Sequence, residues 1–168
     1  MKNSTKVILL IGTAIAGVST YLYVQIRKII KSPFKVVGAT DVDLTGGEVK
    51  FTLLCQKHND SDISAHINNQ YYEVFLNDKL VSKIQNKSHV FVGANKTTII
   101  PVKVEINKNQ FLKASIANLT NLIMDKSKVK LSLVGYFHYK AGIFGAKQPL
   151  DLSFTLQEIL DMKKQDKK

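Results

Sequence analysis

The side chains of this sequence that could do chemistry are few, and two pairs of aspartates come first. Asp41 and Asp43 flank a valine, and Asp60 and Asp62 flank a serine further along the chain. Carboxylates in neighbouring loops, together with backbone carbonyls, are ligands that Ca²⁺ accepts. Neither pair lies in a glycine-containing loop of the spacing that calcium loops use. The sequence therefore favours solvated turn carboxylates and predicts no metal site.

Residues of catalytic type are dispersed along the chain. The single cysteine, Cys55, falls at an apolar-facing position of a predicted strand, which indicates an inert buried thiol. No histidine shares a metal-ligand spacing with another histidine or with the cysteine; the four are His58, His66, His89 and His138. Glycine-rich phosphate loops, H-E-x-x-H and G-x-S-x-G are absent from the sequence. We therefore predict a non-enzymatic protein with no cofactor, and a hydrolase or metal-dependent enzyme is the alternative from a different class.

The formal net charge of +11 is unevenly divided. Residues 1–40 carry +6 with no acidic residue, and residues 41–168 carry +5. Arg27 is the only arginine, whereas base reading and bidentate phosphate clamping favour arginine. The composition thus disfavours a nucleic-acid partner and favours a lipid bilayer, whose anionic headgroups attract lysines beside a membrane segment.

An uncharged run of 18 residues extends from Val7 to Val24, Gln25 and Ile26 extend it to about 20, and it shows no polar face. That length suffices to cross roughly 30 Å of hydrocarbon at about 1.5 Å per residue. The residues expected to face lipid are Val7, Ile8, Leu9, Leu10, Ile11, Ile15, Val18, Leu22 and Val24. The run ends in YLYVQIRKII, which lacks a small-x-small cleavage site. We predict a single-pass anchor over residues 1–31, in preference to a cleaved signal peptide or a buried helix.

Aromatic and basic residues follow the apolar run, as is typical of the membrane–water interface. The predicted interface anchors are Tyr21, Tyr23, Arg27, Lys28 and Lys31. Basic residues nearly balance across the run, so the side of the soluble part stays open, with a slight preference for the cytoplasmic or internal side. The small residues Gly12 and Ala16 have the spacing of a helix–helix contact, which leaves a homo-oligomer open.

Apolar and polar residues alternate after Pro33, and residues 32–160 are predicted to form one antiparallel β-sandwich of seven or eight strands. The alternating segments are 34–44, 49–57, 63–67, 71–84, 89–92, 97–106, 129–140 and 150–156, of which 71–84 is predicted to be a hairpin with Asn77 and Asp78 at its turn. Pro101 predicts an edge strand. An amphipathic helix at about 108–125, capped by Asn107, is predicted to cover one end of the sandwich. Residues 161–168 form a charged tail that we expect to be frayed.

The order of these elements resembles the group-2 late embryogenesis abundant family, also called the WHy (water stress and hypersensitive response) domain. The resemblance covers roughly residues 34–157, with Asn59, Asn77 and Gly135 as landmarks. Members usually carry Asn-Pro after the second strand, where this chain has Asn59 followed by Asp60. The resemblance implies a fibronectin-III-like sandwich, tethered to a membrane in bacterial-type members, with loosely defined stress-protective roles and no catalytic residues.

These observations predict a membrane-anchored β-sandwich that acts as a structural or binding module at a membrane surface, with an unknown protein partner. One alternative is a structural component of a larger membrane-containing assembly, such as a bacterial envelope complex or a lipid-containing virion. Another is a carrier of lipid or of a small apolar ligand, which would need a cavity beneath the helix at 108–125.

Overall fold

Seven strands and two α-helices make up the described part of the chain in the computed structural model, which describes residues 18–43, 49–107, 109 and 126–165. Helix α1 covers residues 18–31 and precedes the first strand. The strands are β1 (Phe34–Asp43), β2 (Val49–His58), β3 (Ala65–Leu76), β4 (Lys79–Val92), β5 (Thr97–Ile106), β6 (Lys130–Ala141) and β7 (Phe144–Thr155). A short 3₁₀ helix (Lys126–Lys128) precedes β6, and helix α2 (Leu156–Gln165) follows β7.

The strands form two antiparallel sheets, one in the order β1-β2-β5 and the other in the order β4-β3-β6-β7. The apolar residues of each alternating strand face a shared core, as in β2, where Phe51, Leu53 and Cys55 are buried. This arrangement confirms the predicted all-β antiparallel sandwich. Strand β5 lies at a sheet edge, as Pro101 predicted.

The two ends of the sandwich carry different loops. We call proximal the end that carries the β2–β3 loop (residues 59–64), residues 93–96 and the β6–β7 turn (Gly142 and Ile143). We call distal the end that carries the β3–β4 turn (Asn77 and Asp78) and the 3₁₀ helix. Along the β3–β6 ladder, for example, His66 pairs with Lys140 near the proximal end and Leu76 pairs with Leu131 near the distal end.

Two pairs of predicted strand segments turn out to be single long strands. Segments 63–67 and 71–76 join in β3, whose register shifts between Ile67 and Asn69, as at a β-bulge. Segments 79–84 and 89–92 join in β4, an edge strand of 14 residues. Strand β7 also begins six residues earlier than predicted, at Phe144. Polar residues in the middle of these strands interrupt the apolar alternation while the backbone pairing continues.

The C-terminal end differs from its prediction. We predicted a strand to residue 156 and a frayed tail from 161, whereas Leu156 starts α2 and the helix continues to Gln165. Leu156 and Ile159 are buried in the core, and Leu160 and Met162 pack against it. Helix α2 lies against β1 and so covers that side of the sandwich. The helix predicted at about 108–125 lies outside the described residues, apart from Asn109.

Candidate functional site

The inner face of α1 is packed against the proximal end of the sandwich. Ile29 is fully buried in the core, and Ile26 is buried one turn earlier. Gln25 makes two reciprocal bonds with the β2–β3 loop: its Nε2 donates to Oδ2 of Asp62 at 3.2 Å, and its Oε1 accepts from the backbone N–H of Asp62 at 3.0 Å. Apolar burial and a paired amide together hold α1 against the sheets.

The C-terminal end of α1 is fixed by a buried lysine. The Nζ atom of Lys57, a fully buried residue of β2, donates to the carbonyl oxygen of Ser32 at 2.6 Å. Nε2 of Gln148 donates to the same oxygen at 2.8 Å. The hydroxyl of Ser32 donates to the carbonyl of His58 at 2.6 Å. The residue at the end of α1 is therefore bonded to both sheets.

The environment of Lys57 changes its proton affinity. Burial lowers the pKa of the Lys57 ammonium to about 8, and the carboxylate of Asp60 opposes this effect. Its charge is compensated by the Ser32 carbonyl and by aromatic faces, with Nζ 4.8 Å from the ring centroid of Phe34 and 5.7 Å from that of Tyr139. Extending the alternation of β2 by one step beyond Cys55 would have placed this lysine on the buried face.

The outer face of α1 is exposed and apolar. Tyr21, Tyr23 and Val24 are exposed on this face. Val18 and Leu22 lie instead on the side of the helix that carries Ile26 and Ile29, with Val18 exposed and Leu22 half-buried. The basic residues that we predicted at the interface, Arg27, Lys28 and Lys31, are exposed as well. The Arg27 guanidinium lies 5.6 Å from the ring centroid of Tyr23, a cation–π distance.

The remaining anchor residues lie outside the described part of the chain; they are Val7, Ile8, Leu9, Leu10, Ile11 and Ile15, together with the helix-contact pair Gly12 and Ala16. Among the helical residues that the structure does describe, no helix has the length and apolarity to cross a bilayer. The anchor stays a prediction.

An apolar groove of about 470 Å³ lies between the start of the described part of α1 and the proximal end of the sandwich. Val18 and Leu22 form its helical wall, Ile63 contributes from the β2–β3 loop, and Ile143 and Phe144 contribute from the β6–β7 turn. Ile143 is 89% exposed at the tip of this turn. Nothing in the sequence brought these three segments together, since they are joined only by the fold.

The aspartates considered for calcium lie at opposite ends of β2. Asp43 pairs with Lys50 near the distal end, and Asp41 adopts a positive φ of 54° where the register of β1 shifts. In the proximal loop, Asp60 lies 3.6 Å from Nε2 of His58, and Asp62 is bonded to Gln25. In the described part of the chain, no three His, Cys, Asp or Glu side chains gather as ligands for a metal ion.

The cysteine and the four histidines, all of which the structure describes, lie apart from one another and form no common site. Cys55 is fully buried, and burial raises the pKa of its thiol to about 12, so the thiolate nucleophile does not form near neutral pH. This agrees with the inert thiol that we predicted. His66 is exposed and stacks at 5.2 Å against Phe91, and His138 lies on another strand, β6.

The three landmark residues have structural roles. The buried side chain of Asn59 closes the proximal loop by donating to the carbonyls of Ile63 and Gly93, both at 2.9 Å. Asn77 takes a positive φ of 46° in the β3–β4 turn, and its Oδ1 accepts from the N–H of Lys130 at 2.8 Å. Gly135 lies so close to β3 that a Cβ atom there would be 2.0 Å from the carbonyl oxygen of Tyr71.

Comparison with known proteins agrees with this fold. A protein from Archaeoglobus fulgidus, known from its crystal structure, has a similar fold with a TM-score of 0.58 and 15% sequence identity. The similarity covers 73% of this chain and 97% of that chain. No curated protein matches the chain. The model of the late embryogenesis abundant protein family, LEA_2, matches residues 58–153, which is more than half of the chain, so the chain belongs to that family.

Proposed function

We propose that this protein is a non-enzymatic, membrane-anchored β-sandwich that acts as a structural or binding module at a membrane surface. Membership of the late embryogenesis abundant family supports a stress-related, non-enzymatic role. The apolar run from Val7 to Val24 supports the anchor, since its length matches the hydrocarbon core of a bilayer.

The observation that carries the proposal is the way α1 is joined to the sandwich. In the sequence, α1 continues directly from the apolar residues 7–17. The helix does not end in a flexible linker, because Gln25 is bonded to Asp62 and the Ser32 carbonyl accepts from Lys57 and Gln148. A tether that only kept the domain near the membrane would not need buried polar contacts at its exit. The contacts instead give the sandwich a fixed orientation relative to α1, and through the proposed anchor relative to the membrane.

A fixed orientation has consequences for binding. It presents the same loops and sheet edges to every partner in the plane of the membrane, and confinement to that plane raises the local concentration. Exposed lysines held close to an anionic surface add attraction on the order of 1 kcal/mol each. Both effects favour contacts with lipid headgroups and with membrane-bound proteins.

The test is extraction of the full-length protein from native membranes with alkaline carbonate. The matched variant is Ile11→Lys with Ile15→Lys, which places two charges in the apolar run at a cost of roughly 2.5–3.5 kcal/mol each. We expect the wild-type chain to stay in the membrane pellet and the double variant to move to the supernatant. Release of the wild-type chain would refute the anchor. If the wild-type chain resists extraction, protease digestion of sealed vesicles gives the side of the membrane on which residues 32–168 lie.

A lipid or apolar-ligand carrier is the second candidate, and the groove beside α1 is the observation that favours it. A carrier encloses most of its ligand, whereas here the groove is bordered by the exposed Val18 and Ile143. Lipid that stays bound to the purified chain in stoichiometric amount, after exchange into a lipid-free detergent, would favour the carrier over the surface module.

A further inference from the structure

The groove between α1 and the β6–β7 turn is an exposed apolar region at the proximal end. It joins exposed Val18 on the helix to Ile143 at the tip of the turn. Gly142, with a φ of 58°, makes the turn tight enough to project Ile143 away from both strands. An isoleucine that is 89% exposed gains nothing from the fold of the described residues.

The position of the groove along α1 identifies the occupant. Val18 and Leu22 line the groove, and the sequence continues from Val18 into the apolar residues 7–17. Arg27 lies nine residues after Val18, which is about 13 Å along a helix that rises about 1.5 Å per residue. The turn shares the groove with Val18, Ser19 and Leu22, so its tip is level with the part of α1 that also carries Tyr21, an aromatic residue of the kind that favours the boundary between headgroups and hydrocarbon.

The charges next to the turn fit the same partner. Lys140 on β6 and Lys147 on β7 are exposed on either side of the turn. Of the two acidic residues in the proximal loop, Asp62 accepts bonds from the side chains of Gln25 and Asn95, and Asp60 lies 3.6 Å from Nε2 of His58. An apolar tip between two lysines matches a bilayer surface with anionic lipid, where the tip enters the boundary and the lysines meet the headgroups.

The residues that flank the segment 108–125 lie at the distal end. Asn107 follows Ile106, which pairs with Val49 there, and Lys126 accepts a backbone bond from Val129 at the same end. Both flanks thus leave the fold at the end opposite to the groove.

We propose that the β6–β7 turn is a second membrane contact, in which Ile143 inserts into the bilayer interface beside α1. The partner is the bilayer itself, and together with the anchor this second contact sets the tilt of the sandwich on the membrane. The inference rests on the proposed anchor, since α1 brings the turn to the bilayer.

The test uses cysteine labelling of the full-length chain in vesicles of phosphatidylcholine and phosphatidylglycerol. Cys55 is buried with a raised thiol pKa, so a maleimide dye at neutral pH reacts with an introduced cysteine. The variant is Ile143→Cys, whose exposed position tolerates the change. The matched control is Lys79→Cys, at an exposed position at the start of β4, near the distal end.

We expect a polarity-sensitive dye at position 143 to shift its emission to the blue and to be quenched severalfold by spin-labelled lipid. The same dye at position 79 should report water and escape that quenching. Carbonate extraction of the same vesicles separates the two proposals. A chain that resists extraction while the dye at 143 reports water overturns the second contact and leaves the anchor intact.

Two other outcomes also overturn the inference. A chain that carbonate releases refutes the anchor and removes the basis of the second contact. A dye at 143 that is shielded from aqueous iodide but not quenched by lipid, together with a disulfide between chains when the unlabelled Ile143→Cys variant is oxidised, would show that a second copy covers the groove.

Discussion

The ammonium of Lys57 lies 2.6 Å from the carbonyl oxygen of Ser32, so a buried residue of β2 is bonded directly to the residue that ends α1. The N–H of Ser32 donates to the carbonyl oxygen of Lys28 in the last turn of α1. Ser32 directly follows the helix, so no helical N–H can donate to its carbonyl oxygen. A positive charge at this end of a helix is favourable. Lys57 therefore contributes, together with Gln148 and Gln25, to fixing the direction in which α1 leaves the sandwich.

The lowered pKa of Lys57 predicts a pH dependence of stability. The folded pKa is about 8, and an unfolded lysine titrates near about 10.4. Between these values the unfolded state binds more protons than the folded state, so the free energy of unfolding rises with pH. From about pH 7 to about pH 9 the Lys57 contribution should increase by roughly 1 kcal/mol. Urea unfolding of the detergent-solubilised chain, followed by the near-ultraviolet tyrosine signal, measures it.

The control for this prediction is a comparison of two lysine substitutions. Lys57→Met removes the buried amine and should abolish the rise between pH 7 and pH 9. Lys103→Met changes an exposed side chain on β5 and should keep the wild-type slope. Equal slopes for all three proteins would show that Lys57 does not titrate in this range.

Asn59 provides a second prediction, because its amide is bonded on both sides. Its Oδ1 accepts from the N–H and the hydroxyl of Ser61 at 3.0 Å and 2.7 Å, while Nδ2 donates to two carbonyls. Asn59→Asp keeps the shape but points a carboxylate at those carbonyls, which should cost about 3–5 kcal/mol, as other uncompensated buried charges do. Urea unfolding at neutral pH gives the value.

Two comparisons separate this effect from a general loss of loop structure. The exposed neighbour Asp60→Asn removes only a carboxylate that favours the charged form of Lys57, and should cost no more than about 1 kcal/mol. Protonation of the introduced carboxyl restores one donor, so the deficit of Asn59→Asp relative to wild type should shrink as the pH falls towards about 4. A deficit that does not depend on pH would contradict the charge argument.

Gly135 predicts an effect of backbone proximity. A Cβ at this position would be 2.0 Å from the Tyr71 carbonyl oxygen and 2.5 Å from Cα of Tyr72, so the pairing of β6 with β3 would have to move. Gly135→Ala should destabilise by about 4 kcal/mol or more, at the upper end of single substitutions. Gly38→Ala, whose Cβ would meet only a side-chain atom of Leu54 at 3.6 Å, is the matched control and should change stability little. Similar thermal unfolding of the two variants would refute this account.

The strand pattern of this fold was predictable because burial on one face leaves a period of two in the sequence. The β3–β4 turn was readable too, since Asn77 and Asp78 both adopt positive φ and are residue types that accept it. The continuity of β3 and β4 was not readable. Asn69 pairs with Lys87 and Gln70 with Asn86 in the middle of both strands, and polar pairs of this kind look like a loop in a single sequence.

The docking of α1 could not be predicted from the pattern of its own residues. Gln25 and Asp62 are 37 positions apart, and Ser32 and Gln148 are 116 apart. The apolar run was extended to Ile26 as part of the membrane segment, whereas Gln25 and Ile26 face the sandwich. A residue that packs on protein and one that faces lipid have the same hydrophobicity, so only the tertiary structure distinguishes them.

Helix α2 was missed although the sequence carries its start signal, and that signal gives the last prediction. Thr155 and Glu158 form a capping box: Oε2 of Glu158 accepts from the N–H of Thr155 at 2.7 Å, and the N–H of Glu158 donates to Oγ1 of Thr155 at 3.1 Å. Thr155→Ala and Glu158→Ala should each cost about 1 kcal/mol. The double variant should cost less than the sum, because either substitution already breaks the reciprocal pair. Urea unfolding of the four proteins closes the cycle, and strictly additive costs would show that the two residues stabilise α2 independently.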